Sequence, residues 1–251
     1  MALTAGTLIA LLGFLGSPQD DKTFQPAIKR FQDDYYKVGA KDDEKIQAVN
    51  YLAQNRHDRI VRVLSPLMLD ASIPVRIMVA RSLGQFAGVD TAPRELVAAL
   101  QSQANAGKKQ TPVRIEILRS LGTLKYRPAA ADVSRLIEDK DVWVAKAAID
   151  ASRGIKGVES IAPLIKSLQR IEGKEGDAEV TVNPLDDILE GVNNGSLFKH
   201  DAREPKRPSQ RELLRAPILA SLSGITKQSF QTAKEWDAWW QKNKSTFRIP
   251  E

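Results

Sequence analysis

The sequence predicts an all-α protein, a solenoid of about five stacked helix pairs closed by one C-terminal helix. Three observations carry this. From Lys22 onward apolar residues recur three and four positions apart, as in Phe24, Ile28, Phe31 and Tyr35, a spacing that places them on one face of a helix. The periodic segments run about 11 to 16 residues and each is closed by Gly, Pro, Asn or Asp, as helical hairpins require. Finally, the stretch from Pro74 to Gly84 returns as Pro112 to Gly122, a shift of 38 with eight of eleven positions identical. A fixed period of this size marks a repeat architecture, because one hairpin cannot cover its own apolar face and stacking supplies the cover.

Each pair follows in chain order. Residues 24–38 and 44–52 give the first, with Ile46, Val49 and Leu52 on the apolar side of its second helix. Residues 58–69 and 74–84 give the second, 92–103 and 112–122 the third, 129–137 and 143–151 the fourth. The fifth, 158–171 and 214–222, is interrupted by an insert at 172–209 rich in Gly, Asp, Asn and Pro. Unstructured loops of that length are uncommon in compact units and tend to be functional or disordered. Within the insert Leu185, Ile188 and Leu189 could form one short helix, and Val180 to Val182 is the only candidate strand in the chain. The closing helix carries Trp236, Trp239 and Trp240 at i, i+3 and i+4, hence on one face. These indoles are expected to seal the last pair, over Ile218 and Leu222, in preference to forming a ligand platform.

The pattern of 70–84 and its copies resembles the HEAT-repeat family, particularly its short bacterial form, in which Asp-x-x-Val-Arg-x-x-Ala-x-x-x-Leu-Gly opens the second helix. The resemblance covers most of residues 40–224 and implies a right-handed α-solenoid. Asp70 and Arg76 match the Asp and Arg that form a ladder between neighbouring repeats of that family; Arg114 and Arg215 match the Arg alone. Lys108 and Ser209 stand in place of the acid, and Val144 in place of the fourth Arg, so the ladder is expected to break in the C-terminal half. The Trp-x-x-Trp-Trp tail is similar to the ending of HEAT-repeat proteins predicted from planctomycete-type bacterial genomes. Residues 22–224 thus form a repeat domain and 225–251 its Trp-rich cap.

Function is less legible. There is no cysteine, which excludes disulfides, thiolate metal sites and cysteine nucleophiles. The only histidines, His57 and His200, each precede an aspartate, too little for a metal site. No phosphate loop, dinucleotide fingerprint or nucleophile elbow occurs. Nor do the His-Glu pairs of the metal-binding HEAT-like hydroxylase. The reading is therefore of a non-enzyme with no catalytic or metal-binding residue, no cofactor and no small-molecule substrate.

Charge supplies the remaining signal. Residues 56–127 carry 12 basic and 5 acidic residues, +7, and residues 172–190 carry 7 acidic and 1 basic, −6. Equivalent residues of stacked repeats align, so Arg76 with Arg114, and Arg81 with Arg119, should form basic rows. The family resemblance places second helices on the concave, partner-binding surface. The expected activity is a protein–protein interaction scaffold, its partner acidic where it meets these four arginines. The alternative is nucleic-acid binding through the second and third pairs, as in the HEAT-like alkylpurine glycosylases. The charges also predict that the acidic insert closes over Arg81 and Arg119.

At the start, residues 1–17 contain an apolar run from Leu8 to Leu15 that reads as a secretory h-region, though no basic residue precedes it. Export to the periplasm or medium is the expectation, with a buried N-terminal helix in a cytoplasmic protein as the alternative. The run is too short to span a bilayer.

Overall fold

The structure, a computed structural model, describes residues 23–185, 188 and 207–250. Among these the chain is all-α, with eleven α-helices and no strand beyond one antiparallel bridge between Glu179 and Ser209. The helices are α1 (Gln25–Tyr35), α2 (Asp42–Ala53), α3 (Asp58–Leu64), α4 (Ile73–Leu83), α5 (Thr91–Gln101) and α6 (Thr111–Leu124). Then follow α7 (Ala130–Ser134), α8 (Val142–Ile155), α9 (Ile161–Glu172), α10 (Gln210–Thr226) and α11 (Ala233–Asn243). Residues 1–17, and the singled-out Leu189 and His200 with the aspartate after it, Asp201, lie outside the described residues.

Local chemistry starts these helices where they start. The side chains of His57, Ser72, Asp141, Ser209 and Thr232 accept first-turn backbone N–H groups of α3, α4, α8, α10 and α11. Pro26, Pro74 and Pro112 occupy first turns, where a missing N–H costs nothing. The ends differ from the sequence reading. Gly122 and Gly224, expected to stop their helices, lie inside α6 and α10. The left-handed stops are Lys125, Lys156 and Lys227, at φ 52°, 55° and 60°.

The glycines serve packing instead. The second helix of each pair touches the next: α2 meets α4, α4 meets α6, α6 meets α8, and α8 meets α10. Small residues sit where these helices cross. A Cβ on Gly84 would lie 2.5 Å from the Ser120 hydroxyl oxygen, one on Gly122 2.9 Å from the Ala151 Cα, and one on Gly154 2.3 Å from the Gly122 carbonyl oxygen. Serine hydroxyls bridge the same seams, Ser120 donating to the Ala80 carbonyl and Ser221 to the Ile149 carbonyl, both at 2.8 Å. One hydrophobic cluster, with Val49, Leu83, Leu121, Ile149 and Leu222 at its centre, runs from Ile28 in α1 to Trp240 in α11.

The C-terminal helix docks on the helix that precedes the insert. α11 packs on α9, with Trp236 and Trp240 buried and Trp239 half-buried among Phe230 and Phe247. The fixing contacts explain the choice: the Glu172 carboxylate at the end of α9 accepts the Ala233 N–H at the start of α11, and Trp236 Nε1 donates to the Phe230 carbonyl.

Candidate functional site

Arg76 and Arg114 both belong to a row of contacts between successive pairs. Arg76, only 7% exposed, donates through Nη1 to the Ala104 carbonyl (2.9 Å) and to the side-chain oxygen of buried Asn105 (3.0 Å). Arg114 meets Asp139 at 2.6 Å, and on α2 Lys45 meets Asp70 at 3.5 Å. In all three a cation on one second helix reaches the loop before the next. Asp70 and Asp139 each stand two residues before a helix cap and accept its N–H, from Ser72 and Asp141. Asp70 and Arg76 therefore face opposite neighbours and do not pair with each other. Arg114 does not lack an acid, because its partner comes from the following loop and the position of Lys108 belongs to the preceding one. On α8 the row stops: Lys146 turns along its own helix to Asp150.

The first of these contacts is the most elaborate. The Tyr35 hydroxyl donates to Asp70 Oδ2 at 2.7 Å. Burial of Asp70 by itself raises its pKa, but the Ser72 N–H, the Tyr35 hydroxyl and Lys45 outweigh it and hold the carboxyl below its ordinary value. Burial, then the bond to Asp70, push the Tyr35 phenol well above the usual tyrosine range.

Of the four arginines expected to meet a partner, Arg81 and Arg119 have the freer side chains, 31% and 45% exposed. They stand on either side of buried Glu116, Arg81 Nε at 3.1 Å and Arg119 Nη1 at 3.8 Å. Beside Arg81 a groove of about 340 Å³ opens between α2 and α4, lined by Asn50, Gln54, Arg56, Ser82 and Gln85. Arg56 has no side-chain partner among the described residues. Sequence reading missed Arg153, exposed on α8, because that helix is out of register with the 38-residue repeat.

A second and larger groove, about 670 Å³, lies at the opposite ends of the second helices. Its floor is Thr111, Arg114, Asp139 and Val142 to Trp143, and its wall is Glu179 to Val182 of the insert. Three bonds hold the wall in place: Val180 N–H to Pro208 O, Gln210 N–H to Ala178 O, and Trp143 Nε1 to Thr181 O, all at 2.8–2.9 Å. The described acids of the insert do not reach Arg81 or Arg119. Glu175 and Asp177 pair locally with Arg170 and Arg211 instead.

Among the described residues no cluster of His, Asp or Glu could hold a metal ion, and no helix is long and apolar enough to cross a membrane. His57 stacks on Phe24 and caps α3 through Nδ1. Compared with protein-family models and with curated proteins, the chain matches none.

Proposed function

We propose that the chain is a non-catalytic scaffold, a right-handed HEAT-like solenoid of five helix pairs sealed by α11, that binds a partner protein across its second helices. The side-by-side order of α2, α4, α6, α8 and α10 is the observation that supports this most. It lines up the exposed Asn50 and Gln54, half-buried Arg81 with exposed Gln85, exposed Arg119 and Thr123, and exposed Arg153 of successive helices. Amides and guanidiniums in such a row offer donors to carboxylates and to peptide carbonyls. Arg81 and Arg119 are the anchors of this face, and Arg76 and Arg114, nearer the starts of their helices, act as structural contacts between successive helices.

Nucleic-acid binding is the second reading, favoured by the +7 of residues 56–127. It ranks lower because Glu116, Asp139 and Asn105 already engage Arg76, Arg81, Arg114 and Arg119 of that stretch. The two readings separate by titrating the whole chain with a blocked poly-glutamate peptide and with a random-sequence DNA duplex. Replacing Arg81 and Arg119 together by Ala should weaken peptide binding by about tenfold or more. Tighter binding of the duplex, falling steeply between about 50 and 200 mM salt, would replace the protein reading by the nucleic-acid one. Peptide affinity indifferent to the double substitution would remove this face as the site.

A further inference from the structure

The groove walled by Glu179 to Val182 carries an assignment of its own. Helix pairs alone do not make it; it exists because the insert, leaving α9 and returning into α10, is pinned across the starts of α6 and α8. The wall is extended backbone. Val180 turns its N–H toward Pro208, so the alternation of an extended chain turns the backbone groups of Glu179 and Thr181 the other way, the side on which the Thr181 carbonyl meets the Trp143 indole. Among the described residues the N–H groups of Glu179 and Thr181 find no acceptor. Both residues are exposed, which leaves a short strand edge open along the groove.

The rest of the lining indicates what could lie there. Val142 and Trp143 are half-buried, and Val182 is 58% exposed, an unusual position for a large aliphatic side chain. Lys108 and Lys140, also lining the groove, have no partner among the described residues. The Arg114–Asp139 pair beneath them is internally neutral. Asp141, also in the lining, spends its carboxylate on the Thr111 hydroxyl and the Trp143 N–H. The charged groups of the groove left without a bonding partner among the described residues are the two lysines and Glu179. Backbone donors on one side, aliphatic and indole surface on the floor and ammonium groups at the rim match one class of occupant.

We propose that this groove binds an extended segment of a partner protein, alternating apolar and acidic residues, which adds as a strand to the Glu179–Val182 edge. Its apolar side chains pack on Trp143, Val142 and Val182 and its carboxylates meet Lys108 and Lys140. The main-chain bonds supply affinity that is indifferent to sequence, and the alternating side chains supply the selectivity. This rests on the partner-binding reading above but puts the contact at the other ends of the second helices from Arg81 and Arg119.

The test uses the whole chain and a blocked peptide of alternating Asp and Val, with hydrogen exchange as the readout. Adding the peptide should slow exchange at Glu179 and Thr181, whose N–H groups face the groove. Replacing Lys108 and Lys140 together by Ala, or methylating alternate backbone nitrogens of the peptide, should each weaken binding by about tenfold. The methylated peptide leaves the protein untouched, so misfolding cannot mimic its effect. Protection at Asn50, Gln54 and Gln85 instead would overturn the groove assignment and leave the scaffold reading standing. No protection anywhere rejects the groove as a peptide site. Concentration-dependent protection of Thr181 without peptide would also overturn it, making a second copy of the chain the occupant.

Discussion

Tyr35 and Asp70 give the first helix pair two pH limits. The Asp70 carboxyl titrates below its ordinary value, so its contribution is fully present above the unfolded-state pKa of about 3.9 and is lost as pH falls below it. Tyr35 is the opposite case. Its pKa is raised, so its contribution is present below the unfolded-state value of about 10 and is lost as pH climbs beyond it. Tyr35→Phe removes a hydrogen bond to a charged group, an expected loss of about 1.5–3 kcal/mol near neutral pH. It should also move the acid limb of the melting curve upward, because Asp70 loses one of the bonds holding its proton off, and flatten the alkaline limb. Melting temperatures across the pH range check all three; an unchanged acid limb would show that Lys45 and the Ser72 N–H suffice alone. None of this was legible beforehand, since Tyr35 reads as an ordinary apolar-face residue. Arg76 and Arg114 show the same limit. Their positions in the repeat were clear, but their partners Asn105 and Asp139 belong to the next pair, whose loops differ in length and break any alignment at fixed period.

Helices were easier to read than their ends. The three-and-four spacing found every one of α1 to α11, because an amphipathic face is a property of the segment itself. Their stops depend on neighbours. Gly122 in sequence is a stop signal, yet in the structure α8 comes so close that only a missing Cβ permits the crossing. Lysines then close α6, α8 and α10 in the left-handed region that glycine normally fills. This makes a prediction that a stop-signal reading would reverse. In an isolated helix Gly→Ala gains about 1 kcal/mol. Gly122→Ala and Gly154→Ala must instead push α6 and α8 apart, at a cost of roughly 1–3 kcal/mol each. Chemical denaturation of the two variants decides it, and a gain in stability at both would mean the helices are not in this contact. Because the two glycines face each other, the double variant should cost less than the sum of the singles.

Across the whole molecule, packing passes from pair to pair, with the second helices meeting only in chain order among the stronger contacts. Stability in such an arrangement is close to a sum of local terms and nearest-neighbour interfaces, so damage at one end should stay near that end. The C-terminal helix tests this. Trp236 and Trp240 cover α9, and the Glu172 carboxylate ties the two together through the Ala233 N–H. Ending the chain at Lys227 keeps α10 intact, but exposes the apolar side of α9, where Leu164, Ile165 and Leu168 are buried. Hydrogen exchange should then accelerate first in α9 and α10 while α2 to α6 keep their protection. Tryptophan emission gives a second measure: in the intact chain it should be blue-shifted because two of the four indoles are buried, and Trp236→Phe should cost more stability than Trp239→Phe, whose indole is half-buried. If truncation instead unfolds all ten remaining helices in one step, coupling along the stack is global, and α11 contributes to the whole molecule what its contacts suggest it contributes to α9 alone.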